Sequence, residues 1–178
     1  MKSERIERQY QDAKELYDYL IGKDEISFAT YINNVYKKVL VLSSASFFES
    51  TISQQITAYA TKVSGADKRL VVLIQGKVIE RQYHTLFDWK AKNTNTFWKL
   101  FGEQTKEKVR SQIDAEPELK IAEADFLSLG QQRNLLVHEN FAEYDVNTTL
   151  EEIYTKYKSA CKFVEYIAVV LDPTFLKS

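Results

Sequence analysis

One segment limits the possible folds of this chain more than any other. From Phe28 to Val63 apolar residues recur at helical spacing, through Ile32, Val35, Val39, Leu42 and Ala45 and then Ile52, Ile56, Tyr59 and Val63, with Gly65 placed just beyond as a stop. The pattern predicts one helix of about nine turns. The rest of the chain is expected to be helical as well, because five Gly and two Pro in 178 residues leave few of the tight turns that an all-β sandwich needs.

Other helical stretches follow from the same spacing. Ser3 to Ile21 carries one apolar face and meets Gly22. Lys68 to His84 is expected as a third helix, although Leu70 to Ile74 is β-branched enough to read as a strand. Thr85 to Gly102 suggests short helical turns joined by the polar loop Lys92–Asn95. Glu103 to Ala115 is a polar helix, and Pro117 opens another that runs to about His138. Asn147 or Thr148 is the expected cap of a last helix whose stripe runs from Leu150 to Leu171. The expectation is a single all-α domain over 1–178, a helical bundle with a long second helix and additional short ones.

Lys plus Arg number 24 and Asp plus Glu 25, so no bulk positive field is available and any contact with nucleic acid must be local. The one cysteine, Cys161, excludes an intrachain disulfide framework and any CxxC metal site, which fits a reducing, cytoplasmic setting. The longest aliphatic runs, Leu70–Ile74 and Ile167–Leu171, are too short to span a membrane. There are only two histidines, so any histidine-based acid or base must be His84 or His138. No metal or cofactor is expected.

Two charges fall on apolar stripes. Counting inward positions from Pro117 gives Leu119, Ala122, Phe126 and Leu129, then Arg133, then Leu136; counting along the second helix gives Val39, Leu42 and Ala45, then Glu49, then Ile52. A charge in such a place is costly unless paired, so Glu49 and Arg133 are expected either to meet across two packed helices or to snorkel to solvent at an interface edge. Gln131, Asn134 and His138 share a face of the same helix as Arg133, if it persists that far. Arg133 and His138 are five residues apart, about 140° around the axis, so they converge only if the helix loosens or if two copies assemble one site.

Arg133-Asn134-Leu-Leu-Val-His138 matches the Arg-polar-x3-His form of the Arg-x4-6-His motif of HEPN domains, an all-helical family of metal-independent ribonucleases and inactive relatives. The order of Ser43–Glu49, Phe97–Gly102, Leu127–His138 and a closing helix resembles the RiboL-PSP type of HEPN domain over about Phe28 to Leu171. The resemblance implies a homodimer with a composite RNA-cleaving cleft, possible partnership with an antitoxin or regulatory protein, and a role as a toxin or anti-phage effector. RNA cleavage through its own 2′-hydroxyl needs a proton acceptor, a proton donor and a cation for the developing charge. His138 suits the acid–base role, Arg133 the phosphate, and Asn134 the orientation of either, with Glu49 and Gln131 as supporting residues. His138 also fits a plain structural role at a helix C-terminus, and a non-catalytic module binding a partner protein or nucleotide is the alternative function.

His84 has only Glu80 and Asp88 at helical ligand spacing and reads as a surface histidine. The basic residues Lys90, Lys92, Lys99, Lys106, Lys108 and Arg110 are expected to form a solvated face or an RNA approach surface.

Overall fold

The computed structural model describes residues 2–65, 67–80, 82–139 and 141–177, and among them there is no strand. Eight α-helices follow one another: α1 (Glu4–Ile21), α2 (Ile26–Ser64), α3 (Lys68–Ile74), α4 (Tyr83–Leu86), α5 (Asn95–Lys99), α6 (Glu103–Ala115), α7 (Pro117–His138) and α8 (Leu150–Val170). The all-α expectation is met.

The long apolar stripe makes α2 a helix of 39 residues. It ends at Gly65, whose φ of +60° is a conformation that glycine takes without the steric cost of a Cβ. Which face of α2 is buried differs from the expected one. In the first half the buried row is Leu40, Val41, Ser44 and Phe48, not Val39, Leu42 and Ala45. Adjacent rows are apolar here, and the row that ends in Phe48 goes inward because Phe48 fills the space between Phe126 and Tyr157, with ring centroids 5.7 Å from each. Glu49 is thereby turned to the rim.

α7 and α8 form an antiparallel pair packed against α2, and α1 lies along α2 and meets the tyrosines of α8. Tyr10 of α1 stacks on Tyr154 of α8 with centroids 4.0 Å apart, and the Tyr154 hydroxyl donates to Glu7 at 3.0 Å. The capping residue of α8 is Thr149, not Asn147 or Thr148. Its hydroxyl accepts from the Glu152 amide at 3.1 Å while the Glu152 carboxylate accepts from the Thr149 amide at 2.8 Å, a reciprocal box that satisfies two helix-end donors.

The third helix is the main departure. α3 stops at Ile74, continues as one turn of π-helix over Gln75–Ile79, and breaks at Glu80, whose ψ is 117°. His84 therefore belongs not to that helix but to the one-turn α4 beyond the break.

The second half of the basic stretch, Lys106, Lys108 and Arg110, is engaged within the fold, while Lys90 and Lys99 are exposed. Arg110 meets Glu123, whose side chain is 3% exposed, at 2.9 Å, and the same carboxylate accepts from the amide and hydroxyl of Thr94 at 2.8 and 2.6 Å. Trp98 donates to the Thr94 hydroxyl at 2.8 Å, so the start of α5 is fastened to α7 through one buried acid. Lys108 Nζ donates to the Phe175 carbonyl at 2.6 Å, and Lys106 pairs with Glu103.

Candidate functional site

The motif helix α7 begins with Pro117 at its first turn and stays helical through His138, where the Glu139 amide still donates to the Leu135 carbonyl at 2.8 Å. It does not loosen before the histidine. Within one chain Arg133 and His138 therefore stay about 140° apart around the axis and about 7.5 Å apart along it. His138 is exposed at the end of α7, and Val137 beside it is exposed as well.

Arg133 opens onto a narrow cleft between α2, α4 and α7, lined by Glu49, Tyr83, His84, Trp89, Gly130, Arg133 and Asn134 among others. Glu49 and Arg133 do meet, with Arg133 Nη2 at 3.8 Å from Glu49 Oε2. The pair is not buried: the side chains are 30% and 42% exposed, the rim placement that the turned face of α2 imposes. At this separation the contact is an ion pair without a hydrogen bond. The other guanidinium nitrogen, Nη1, donates to Asn134 Oδ1 at 3.1 Å. Arg133 is thus oriented by a neighbour in sequence and neutralised by one across the helix packing, while a third of its surface stays open to an incoming anion. Gln131 is exposed on α7 and does not line this cleft.

The floor and wall of the cleft come from a region whose structure the sequence left undivided. Tyr83 is almost fully buried; burial and the nearby Glu49 carboxylate raise its hydroxyl well above the usual tyrosine range, with Arg133 opposing, so it is a neutral hydrogen-bonding group at any ordinary pH. His84 follows it, exposed at the opening. Trp89 closes the wall: its Nε1 donates to the His84 carbonyl at 2.9 Å, and its ring packs 5.6 Å from that of Phe126. That position exists only because residue 130 is glycine. A Cβ there would lie 2.0 Å from Trp89 Cε3 and Cζ3. A glycine in the interior of a helix, costing about 1 kcal/mol relative to alanine, was the available sign that a large side chain lies against α7 one turn before Arg133.

The segment after His138 is tied back to α2. Lys38, buried to 7% exposure, donates to the carbonyls of Phe141 at 2.7 Å and Ala142 at 3.4 Å, with its ammonium 5.2 Å from the Phe141 ring centroid. Lys37 donates to the Val146 carbonyl at 2.9 Å. Two consecutive lysines of α2 thus fasten the loop that leaves the motif helix.

The RiboL-PSP-HEPN family matches residues 7–172, and the chain belongs to that family. The matched span takes in most of α1, which extends the resemblance expected from Phe28 onward to the helix that stacks Tyr10 on α8. No curated protein and no solved structure matches the chain significantly. Among the described residues no helix is long and apolar enough to cross a membrane, and no group of three or more His, Cys, Asp or Glu side chains is placed to hold a metal ion.

Proposed function

We propose that this HEPN domain is a metal-independent endoribonuclease that works as a cytoplasmic homodimer of single-domain chains. The observation that carries the reading is the half-open Arg133 guanidinium, oriented by Asn134 and flanked by Glu49 at 3.8 Å, on the same helix that ends in an exposed His138. In this reading the 2′-hydroxyl of RNA attacks the adjacent phosphorus. His138 takes part in the proton transfers, Arg133 neutralises charge on the non-bridging oxygens, and Asn134 fixes the guanidinium plane. The products are a 2′,3′-cyclic phosphate and a 5′-hydroxyl. The separation of Arg133 from His138 within one chain is the physical argument for a dimer, since a second α7 facing the first brings Arg133 of one copy near His138 of the other. The family resemblance supports a toxin or anti-phage role, held in check by an antitoxin or another regulatory protein.

The same separation favours a second reading, a HEPN module that binds a partner protein or a nucleotide without cleaving RNA. Purified protein incubated with a labelled RNA in EDTA, beside His138→Ala and Arg133→Ala variants of unchanged melting temperature, decides between them. Cleavage by the wild type alone, leaving cyclic phosphate ends, supports the nuclease. Intact RNA throughout, with a ligand that protects the wild type against heat and fails to protect Arg133→Ala, supports the binding module.

A further inference from the structure

Cleavage through the 2′-hydroxyl requires two proton transfers, one from the attacking oxygen and one to the departing 5′-oxygen, and α7 supplies one histidine. The chain's other histidine stands at the Arg133 cleft of the same chain. We propose, building on the ribonuclease reading, that His84 is a catalytic residue and acts as the general acid for the leaving group.

His84 is held there by a short series of contacts. Trp89 donates to the His84 carbonyl at 2.9 Å, and Trp89 itself is seated against Gly130 of α7. Gly130 lies three and four residues before Arg133 and Asn134, on the same face of the helix. Tyr83, the residue before His84, is buried at the base of the cleft that Glu49 and Arg133 share. The backbone of His84 is therefore fixed relative to the arginine, while its imidazole is exposed at the opening where a phosphate would meet the guanidinium. His138 does not line this cleft and, on the dimer reading, reaches Arg133 only from a second copy, so the base and the acid come from different chains. An in-line displacement needs a base and an acid on opposite sides of phosphorus with the cation between them, and a base arriving from the second copy leaves the His84 side of the cleft for the acid.

The step balances without any further reactant. The O2′–P bond forms and the P–O5′ bond breaks. The 2′-hydroxyl proton passes to His138, and the proton carried by His84 passes to the 5′-oxygen, which leaves as a hydroxyl. His138 ends protonated and His84 neutral, and exchange with solvent resets both. A pair of His138 side chains across a dimer is the competing source of base and acid, and it leaves His84 idle.

The test compares two RNA substrates of one sequence, one of them with sulfur replacing the bridging 5′-oxygen at the linkage that the wild type cleaves. A thiolate departs without a proton, so only the oxygen substrate needs an acid. With the full chain, His84→Ala is expected to lower kcat on the oxygen substrate by about 100-fold or more. On the sulfur substrate it should come within a few-fold of wild type, while Arg133→Ala remains slow on both. The exposed position of His84 leaves the melting temperature unchanged, and His84→Asn is the second variant should alanine disturb α4. Wild-type rates for both His84 variants on the oxygen substrate would overturn the assignment, as would an equal loss on the two substrates, and either leaves the ribonuclease reading standing. A wild type that cuts neither substrate, at any linkage, removes the ribonuclease reading and the acid with it.

Discussion

Gly130 and Trp89 occupy adjoining space so closely that any side chain at position 130 would enter the indole ring, with a Cβ 2.0 Å from two of its carbons. Gly130→Ala gains about 1 kcal/mol of helix propensity and is opposed by overpacking of about 1 to 3 kcal/mol. The balance is expected to be destabilising, with the melting temperature lowered by a few degrees and the tryptophan fluorescence altered as Trp89 is displaced. Trp89→Leu combined with Gly130→Ala should lose less than the two separate losses added together, because the clash disappears in the double variant. Strict additivity would show that the two residues do not constrain each other.

The rim placement of Glu49 sets a limit on what its removal costs. A pair exposed to 30% and 42% falls in the range of about 0 to 1 kcal/mol, against about 3 to 5 kcal/mol for stranding one member of a buried pair. Glu49→Gln is therefore expected to keep the wild-type melting temperature within a degree or two. A drop of ten degrees would mean that the helices close over the pair in solution.

Glu123 is the opposite case. Its carboxylate, 3% exposed, receives Thr94 twice and Arg110 from one side of the bundle. Glu123→Ala is expected to cost about 1 to 3 kcal/mol, since it leaves the buried Thr94 amide and hydroxyl without their acceptor, while Arg110 keeps its bonds to Asp114. Glu118→Ala, also on α7, breaks only an exposed pair with Lys162 of α8 and should leave stability nearly unchanged. Chemical denaturation of the two variants side by side checks the contrast.

Alkali should destabilise the bundle through its buried tyrosines. Burial pushes the Tyr154 and Tyr166 hydroxyls up to about 12, helped at Tyr154 by its bond to Glu7, and pushes Tyr157 higher still. Unfolded tyrosine titrates near pH 10, so between about 10 and 12 the unfolded chain binds fewer protons than the folded one and stability falls as pH rises. Stability from this source is complete below pH 10. Melting temperatures measured from pH 8 to 11.5 should be level at first and then fall, and Tyr154→Phe should flatten the fall. A curve that stays level to pH 11.5 would contradict the buried tyrosines.

Lys38 offers a test of the loop that follows the motif. Lys38→Met keeps most of the buried stem and removes the donor to Phe141 and Ala142. Amide exchange over residues 141–146 is expected to accelerate while that of α8 is unchanged. Unaltered exchange in the loop would show that other contacts hold it.

The helices were legible in the sequence because their apolar spacing is regular and two of their ends are marked by Gly65 and Pro117, whereas the cap of the last helix falls at Thr149, one or two residues beyond the expected positions. The facing of α2 was not. Val39, Leu40, Val41 and Leu42 are all apolar, so periodicity alone cannot choose between rows about 100° apart, and the size of Phe48 decides it through packing. That choice moved Glu49 from the core to the rim. The meeting of Glu49 with Arg133 was legible, as two lone charges at matched positions. The contribution of Tyr83 and His84 was hidden by the break after Ile79, where the continuous apolar pattern gives way to a π-turn and a one-turn helix that tertiary contacts with Trp89 hold in place.

α2 touches both ends of the motif without containing any of it. Lys38 holds the segment just past His138, and Glu49 faces Arg133 eleven residues further along a straight rise of about 1.5 Å per residue. The two clamps, on Arg133 and on the loop at 141–142, stand about 16 Å apart along α2. A single residue inserted between positions 38 and 49 would turn one clamp about 100° away from its target while sparing the other. The number of residues in that stretch is thus as constrained as the bulk of Phe48 within it.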